Sequence, residues 1–272
     1  MGRPSPTDAR QPPTVPNAAD TARLPRSRRA GAIDVWPARL DLLQSATGLA
    51  LGLFMWFHML FVASILLGKD AMWVVARFFE GYFFFGRRYP GIVVAVVAVV
   101  ILLFVAHAAL ALRKLPASGA QYRTFRQHQG AMRHADTRLW WWQAMTGFAL
   151  FFLASVHLYA MLTNAEAIGP YESADRVWTG RLWPLYLALL LVVELHAGIG
   201  LYRVALKWDL LGSASPAGRG RLRRLKTGLT AFFLALGLLT LAAYVRIGFE
   251  HRHRAGEPYV PAFLLAPPGH PS

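Results

Sequence analysis

The 272-residue chain contains no cysteine. Disulfides, iron–sulfur clusters and thiolate ligation of haem within it are therefore excluded. Acid is scarce: 14 Asp and Glu stand against 29 Lys and Arg, a formal net charge of +15. Such an excess invites a nucleic-acid reading, which we reject because the charge sits in connections between apolar runs and not along a soluble face. Charged residues make up only 16% of the chain and hydrophobic ones 55%, a balance ordinary for a membrane protein and high for a soluble one.

Five apolar runs, at 40–67, 91–112, 139–163, 182–202 and 228–245, are long enough to cross a bilayer, which takes about 20 helical residues. Sheet strands rarely exceed about ten residues, and lipid demands a backbone satisfied from within. The fold class expected is all-α, an integral membrane bundle of five transmembrane helices. Lys and Arg alternate between connections: 1–39, 113–138 and 203–226 hold 20, the other side 9. The positive-inside rule then puts the N-terminus in the cytoplasm and the C-terminus outside. Residues 1–35, rich in Pro, Arg and Ala, read as a disordered cytoplasmic extension. Ser27-Arg28-Arg29 resembles a twin-arginine start, but Asp34 and Pro37 interrupt the apolar stretch it would need. Residues 36–250 form the membrane domain and 251–272 a polar, Pro-rich tail.

Polar residues inside a membrane are costly and mark function. His58, His107, His157 and His196 each lie in a different apolar run. His58 lies 19 residues after Arg39 and His157 19 residues after Arg138, about 28 Å from the inner face at 1.5 Å per residue. His107 precedes Arg113 by six residues and His196 precedes Arg203 by seven, about 10 Å from that face. Two depths give two pairs, His58 with His157 and His107 with His196. Facing helices of a bundle hold cofactors in this way, and two imidazole pairs are the axial ligands of two haems. Gln44-x-x-Thr47-Gly48 and Gln143-x-x-Thr146-Gly147 repeat one motif, each ten residues before an outer histidine. Gly48, Gly52 and Gly147 suit the approach of a flat macrocycle or of another helix. His128, His134, His251, His253 and His270 read as solvated. A lone intramembrane histidine is often only an interhelical hydrogen bond or part of a proton path; four at two matched depths favour haem over a cofactor-free transporter.

Glu194 is the only acid deep inside an apolar run. It points about 200° around the helix from His196, and reads as a proton carrier or as a structural hydrogen bond to a neighbouring helix. Glu80 lies in the aromatic connection Arg77-Phe78-Phe79-Glu80-Gly81-Tyr82-Phe83-Phe84-Phe85, a stretch that suits the membrane interface.

Leu42-Leu43-Gln44-Ser45-Ala46-Thr47-Gly48, His58, Ala106-His107-Ala108, Gln143-Ala144-Met145-Thr146-Gly147, Val156-His157-Leu158-Tyr159 and Val193-Glu194-Leu195-His196 together resemble the cytochrome b subunit of the succinate:quinone oxidoreductases, in the single-subunit, five-helix, two-haem form of quinol:fumarate reductases. The resemblance covers roughly residues 36–250. It implies two haem b, a quinone of the menaquinone type, a flavoprotein with FAD and an iron–sulfur partner subunit, and it allows a dimer of such heterotrimers. It implies the bacterial cytoplasmic (inner) membrane and lipid surroundings, with no nucleic acid. The basic stretch from Arg219 to Lys226 would dock the iron–sulfur protein or merely set topology. The resemblance assigns inner-haem propionate contacts to Gln44, Ser45, Trp140 and Lys207, a transmembrane proton path to Glu194, and quinol oxidation to Glu80. Trp140 also suits plain interfacial anchoring, and Glu80 an exposed interfacial acid. The alternative is a quinol-oxidising dihaem cytochrome of a nitrate-reductase-like complex.

Overall fold

The computed structural model describes residues 35–116, 118–131 and 135–265. Contacts separate Met1–Ala38 from Arg39–Ser272. Apart from its last residue, the expected N-terminal extension lies outside the described residues, as do His134 and His270.

No strand occurs among the described residues. Among them ten α-helices follow in order: α1 (Trp36–Val62), α2 (Lys69–Phe79), α3 (Tyr82–Phe85), α4 (Pro90–Leu112), α5 (Gly119–Ala131), α6 (Ala135–Thr163), α7 (Pro170–Val177), α8 (Trp183–Lys207), α9 (Pro216–His251) and α10 (Ala262–Leu265). Five, α1, α4, α6, α8 and α9, are long and apolar enough to cross a membrane. Proline opens or nearly opens α4, α7, α8 and α9, where its missing N–H costs nothing and its φ suits a first turn.

The fifth spanning helix is longer than its apolar run. Ser215 caps it by accepting the Gly218 N–H at 3.0 Å, and the basic stretch Arg219 to Lys226, expected as a loop, is its first turns. Arg and Lys are good helix formers, so hydropathy stops before the helix does. The connections 68–89 and 164–182 likewise hold α2, α3 and α7. Gly81, at φ 76°, turns the chain between α2 and α3 in the left-handed region that favours glycine.

Close backbone packing joins α4 to α6, α6 to α8 and α8 to α9. Helix α1 meets all four through side chains. Gly48 lies against His107 of α4, Gly52 against Leu201 of α8, Trp56 stacks on Phe233 of α9 at 5.2 Å, and His58 faces His157 of α6. Compact apolar clusters form at the two ends. Tyr202, Ala205 and Leu222 pack where α8 and α9 meet the basic connections, here called the basic end. Ile65, Met72, Ala174, Val177 and Tyr244 pack at the opposite, cap end. Along the spans, large apolar side chains face outward: Leu102 is 69% exposed and Tyr159 68%. Lipid covers such a surface.

Candidate functional site

The four histidines meet in the pairs their depths imply. His58 and His157 have ring centres 6.2 Å apart at 53°; His107 and His196 are 6.4 Å apart at 90°. Two imidazoles bound through nitrogen to opposite sides of one metal ion, with bonds of about 2 Å, place their ring centres about 6 Å apart. Among the described residues no three His, Asp or Glu side chains converge as a metal site. Two imidazoles alone leave four equatorial positions to fill, which is what a porphyrin supplies. The histidine pairs therefore fit haem.

The pair nearer the basic end is held by the duplicated motif. Thr47 Oγ1 donates to the Leu43 carbonyl at 2.8 Å and lies 3.3 Å from His107 Nδ1. Thr146 Oγ1 donates to the Trp142 carbonyl at 2.7 Å and lies 3.2 Å from His196 Nδ1. The Gln143 carbonyl is 3.0 Å from the same nitrogen. A hydroxyl proton committed to a carbonyl leaves only acceptor capacity, so each Nδ1 carries the hydrogen and each Nε2 keeps its lone pair. A Cβ at Gly48 would come within 2.8 Å of His107 Cε1, and one at Gly147 within 2.9 Å of His196 Cε1. These glycines thus admit the imidazole of the next helix. Gly52 has another role: its added Cβ would meet the Leu201 side chain at 3.3 Å, so it serves helix packing.

The other pair lacks this shell. His157 Nδ1 is buried without a hydrogen-bond partner. Its ring meets Tyr186 edge-on at 5.6 Å, and Phe54 stacks on His58 at 5.9 Å.

At the basic end Lys207 Nζ is 3.2 Å from Ser45 Oγ and is paired to Asp41, which also binds Lys114. The expected residues Ser45 and Lys207 therefore do come together. Gln44 Oε1 is buried and unpartnered. An amide, a hydroxyl and an ammonium gathered in this way suit a carboxylate ligand. Trp140 is half-buried. Sequence reasoning missed Asp41, whose only signal was an acid one turn into an otherwise apolar helix.

Glu194 is 1% exposed. Trp56 is the donor in reach of its carboxyl, yet neither carboxyl oxygen nor the indole nitrogen makes a hydrogen bond of ordinary geometry. Glu80 is fully buried, which removes the alternative of an exposed interfacial acid. Arg77 pairs with it from one turn before, and Arg88 grips both oxygens at 2.8 and 2.9 Å. That grip raises the Arg88 pKa. Arg88 also donates to the Glu166 carbonyl at 2.6 Å, tying together the two cap-end connections.

His251 corrects an expectation. It is 3% exposed, with Nδ1 3.1 Å from Asp175 Oδ1 and its ring stacked on Tyr171 at 3.9 Å. The fifth helix outruns the apolar pattern and carries this histidine into the cap. The chain then folds back: Gly256 N–H donates to Asp175 at 2.9 Å and Tyr259 to Asp70 at 2.6 Å. His253 is exposed as expected.

The family of succinate dehydrogenase/fumarate reductase transmembrane subunits matches residues 119–238. Two similar proteins are both named fumarate reductase cytochrome b subunit. That of Wolinella succinogenes is 53% identical over 215 residues, 79% of this chain and 84% of its own length. That of Helicobacter pylori strain J99 is 52% identical over 215 residues, 79% of this chain and 83% of its own length.

Proposed function

The chain belongs to the transmembrane cytochrome b subunits of succinate dehydrogenase and fumarate reductase, and from that premise we propose that it passes electrons between a membrane quinone and partner subunits through two haem b. The observation that carries this reading is the pair of imidazole pairs, 6.2 and 6.4 Å between ring centres. His107 and His196 would hold an inner haem, and His58 and His157 an outer one. When bound, the haems supply one-electron steps across the bilayer. The partners are a flavoprotein with FAD and an iron–sulfur protein, docked at the basic end on the cytoplasmic side, with the N-terminus inside and the C-terminus outside.

The chain's own residues hold and orient. Gln44, Ser45, Trp140 and Lys207 would hold the propionates of the inner haem. Glu194, buried with its oxygens unpaired, holds a proton between the two haem levels and exchanges it along the bundle. Glu80 takes the proton of a menaquinone-type quinol at the cap end. Its carboxylate is closed in by Arg77 and Arg88, so Arg88, the more exposed of the two, must swing aside first.

Haem content and reduced-minus-oxidised spectra of the purified complex test the reading. Two b-type haems per chain are expected; one or none overturns it. Glu80→Gln should abolish quinol-linked turnover while both haems remain, and normal quinol kinetics in that variant would remove Glu80 from the role. Glu194→Gln should stop quinol-linked turnover yet spare fumarate reduction by an artificial donor.

A further inference from the structure

We propose that Thr47 and Thr146 are positioning residues that set the redox potential of the inner haem alone, by accepting a hydrogen bond from His107 Nδ1–H and, beside the Gln143 carbonyl, from His196 Nδ1–H; this rests on the two-haem reading above.

Both threonines are buried, at 6% and 7% exposure. A threonine whose hydroxyl bonds back to the carbonyl four residues earlier is already satisfied and contributes little to its own helix. Here the same geometry occurs twice. Thr47 bonds the Leu43 carbonyl and reaches His107; Thr146 bonds the Trp142 carbonyl and reaches His196. In each case the glycine next in sequence clears space for that imidazole. The motif on one helix therefore builds a seat for the histidine of the next. Donating its proton to a carbonyl polarises the threonine oxygen and makes it a better acceptor for Nδ1–H. A hydrogen bond drawn from Nδ1 pushes electron density toward Nε2 and makes the imidazole a stronger ligand. A stronger donor favours the ferric state, so the potential falls. The cap-end pair shows no such seat: His157 Nδ1 is unpartnered, and the His58 ring stacks on Phe54.

Redox titration of Thr47→Val, Thr146→Val and the double variant in the assembled complex tests the proposal. Valine keeps the shape and removes the hydroxyl. Haem content is measured alongside, and His196→Ala identifies which spectral component is the inner haem. The inner midpoint should rise in each single variant. In the double variant it should rise on the scale of a tenfold change in the reduced-to-oxidised ratio, about 59 mV for one electron. The outer midpoint should stay in place, and Thr→Ser at either position should restore the wild-type value. Two haems with unchanged midpoints, or both midpoints shifting together, would overturn the proposal. If a valine variant loses the inner haem, the serine variant decides: retention at the wild-type potential supports the hydroxyl's role, and loss assigns the position to packing and overturns it. Absence of haem from the wild-type complex would instead defeat the two-haem reading itself.

Discussion

The two histidine pairs are equivalent in spacing and unlike in support. Near the basic end, each imidazole is bonded at Nδ1 to a threonine and seated on a glycine, all supplied from within spanning helices. Near the cap end, the rings lean on Phe54 and Tyr186, and one buried nitrogen has no partner. What orders that end lies outside the spans: the Glu80 clamp, the buried His251, and the folded-back tail. A cofactor site within lipid has two ways to be held. Polar groups one turn away can satisfy it directly, or extramembrane caps can fix the helices that bear it. On the proposed two-haem reading, this chain uses one at each end.

Removing a ligand breaks the comparison most completely. His196→Ala should lower the haem content from two to one per chain and leave the outer component's spectrum and potential unchanged. His157→Ala should do the converse. If either variant loses both haems, the two sites are not independently supported. Next in size is the cap. Glu80→Ala leaves Arg77, whose side chain is 5% exposed, as a buried charge without its carboxylate. Breaking such a buried pair costs about 3–5 kcal/mol. Thermal unfolding of the purified complex should show that loss, with the outer haem released before the inner.

Smaller still, and sharper as a contrast, are the glycines. Gly147→Ala places a Cβ within 2.9 Å of His196 Cε1, and forcing a ligand ring to shift costs about 1–3 kcal/mol. Weakened or lost inner haem is expected, with the outer haem intact. Gly52→Ala meets only the flexible end of Leu201 at 3.3 Å, so haem content should match the wild type. Equal effects at Gly147 and Gly52 would show that both glycines merely bring helices together.

Much of this was legible in the chain because the bilayer imposes a ruler. Five apolar runs locate five helices, and residue counts from Arg39, Arg113, Arg138 and Arg203 put four histidines at two depths. Those depths give the pairs that the structure brings together. What a ruler along the helix cannot give is direction around it. The repeated Gln-x-x-Thr-Gly motif was visible, but the histidines it seats belong to the following helix at the other depth, a contact between elements that local spacing does not encode. Hydropathy also fails where the chain leaves lipid. It ended the fifth helix early, took Arg219–Lys226 for a loop, and left His251 in solvent, although the helix runs from Pro216 to His251. The burial of Glu80 was not legible for a related reason: its partners Arg77 and Arg88 are near in sequence, but only the turn through Gly81 folds them around it.

The finest test concerns the folded-back segment 252–265, the strap, alone. Tyr259 donates to Asp70 at 2.6 Å, the Ala262 N–H lies 3.3 Å from the same carboxylate oxygen, and Lys69 lies over the Tyr259 and Tyr171 rings at 5.8 and 5.1 Å. Burial, then the hydrogen bond to Asp70, raises the Tyr259 pKa above that of a free tyrosine, which is about 10. The folded chain therefore keeps this proton where the unfolded chain would lose it. The contribution of the contact is complete below about pH 10 and declines as pH rises from there toward the folded-state value. Limited proteolysis between residues 252 and 265 should accelerate in that alkaline range in the wild type. Tyr259→Phe should be cut faster already at neutral pH and lose the alkaline step. Because the strap meets the cap end, any spectral change that accompanies its release should fall on the outer haem. A matching change in the inner haem would mean that the two ends are coupled, and that the separate means of support seen here do not act separately.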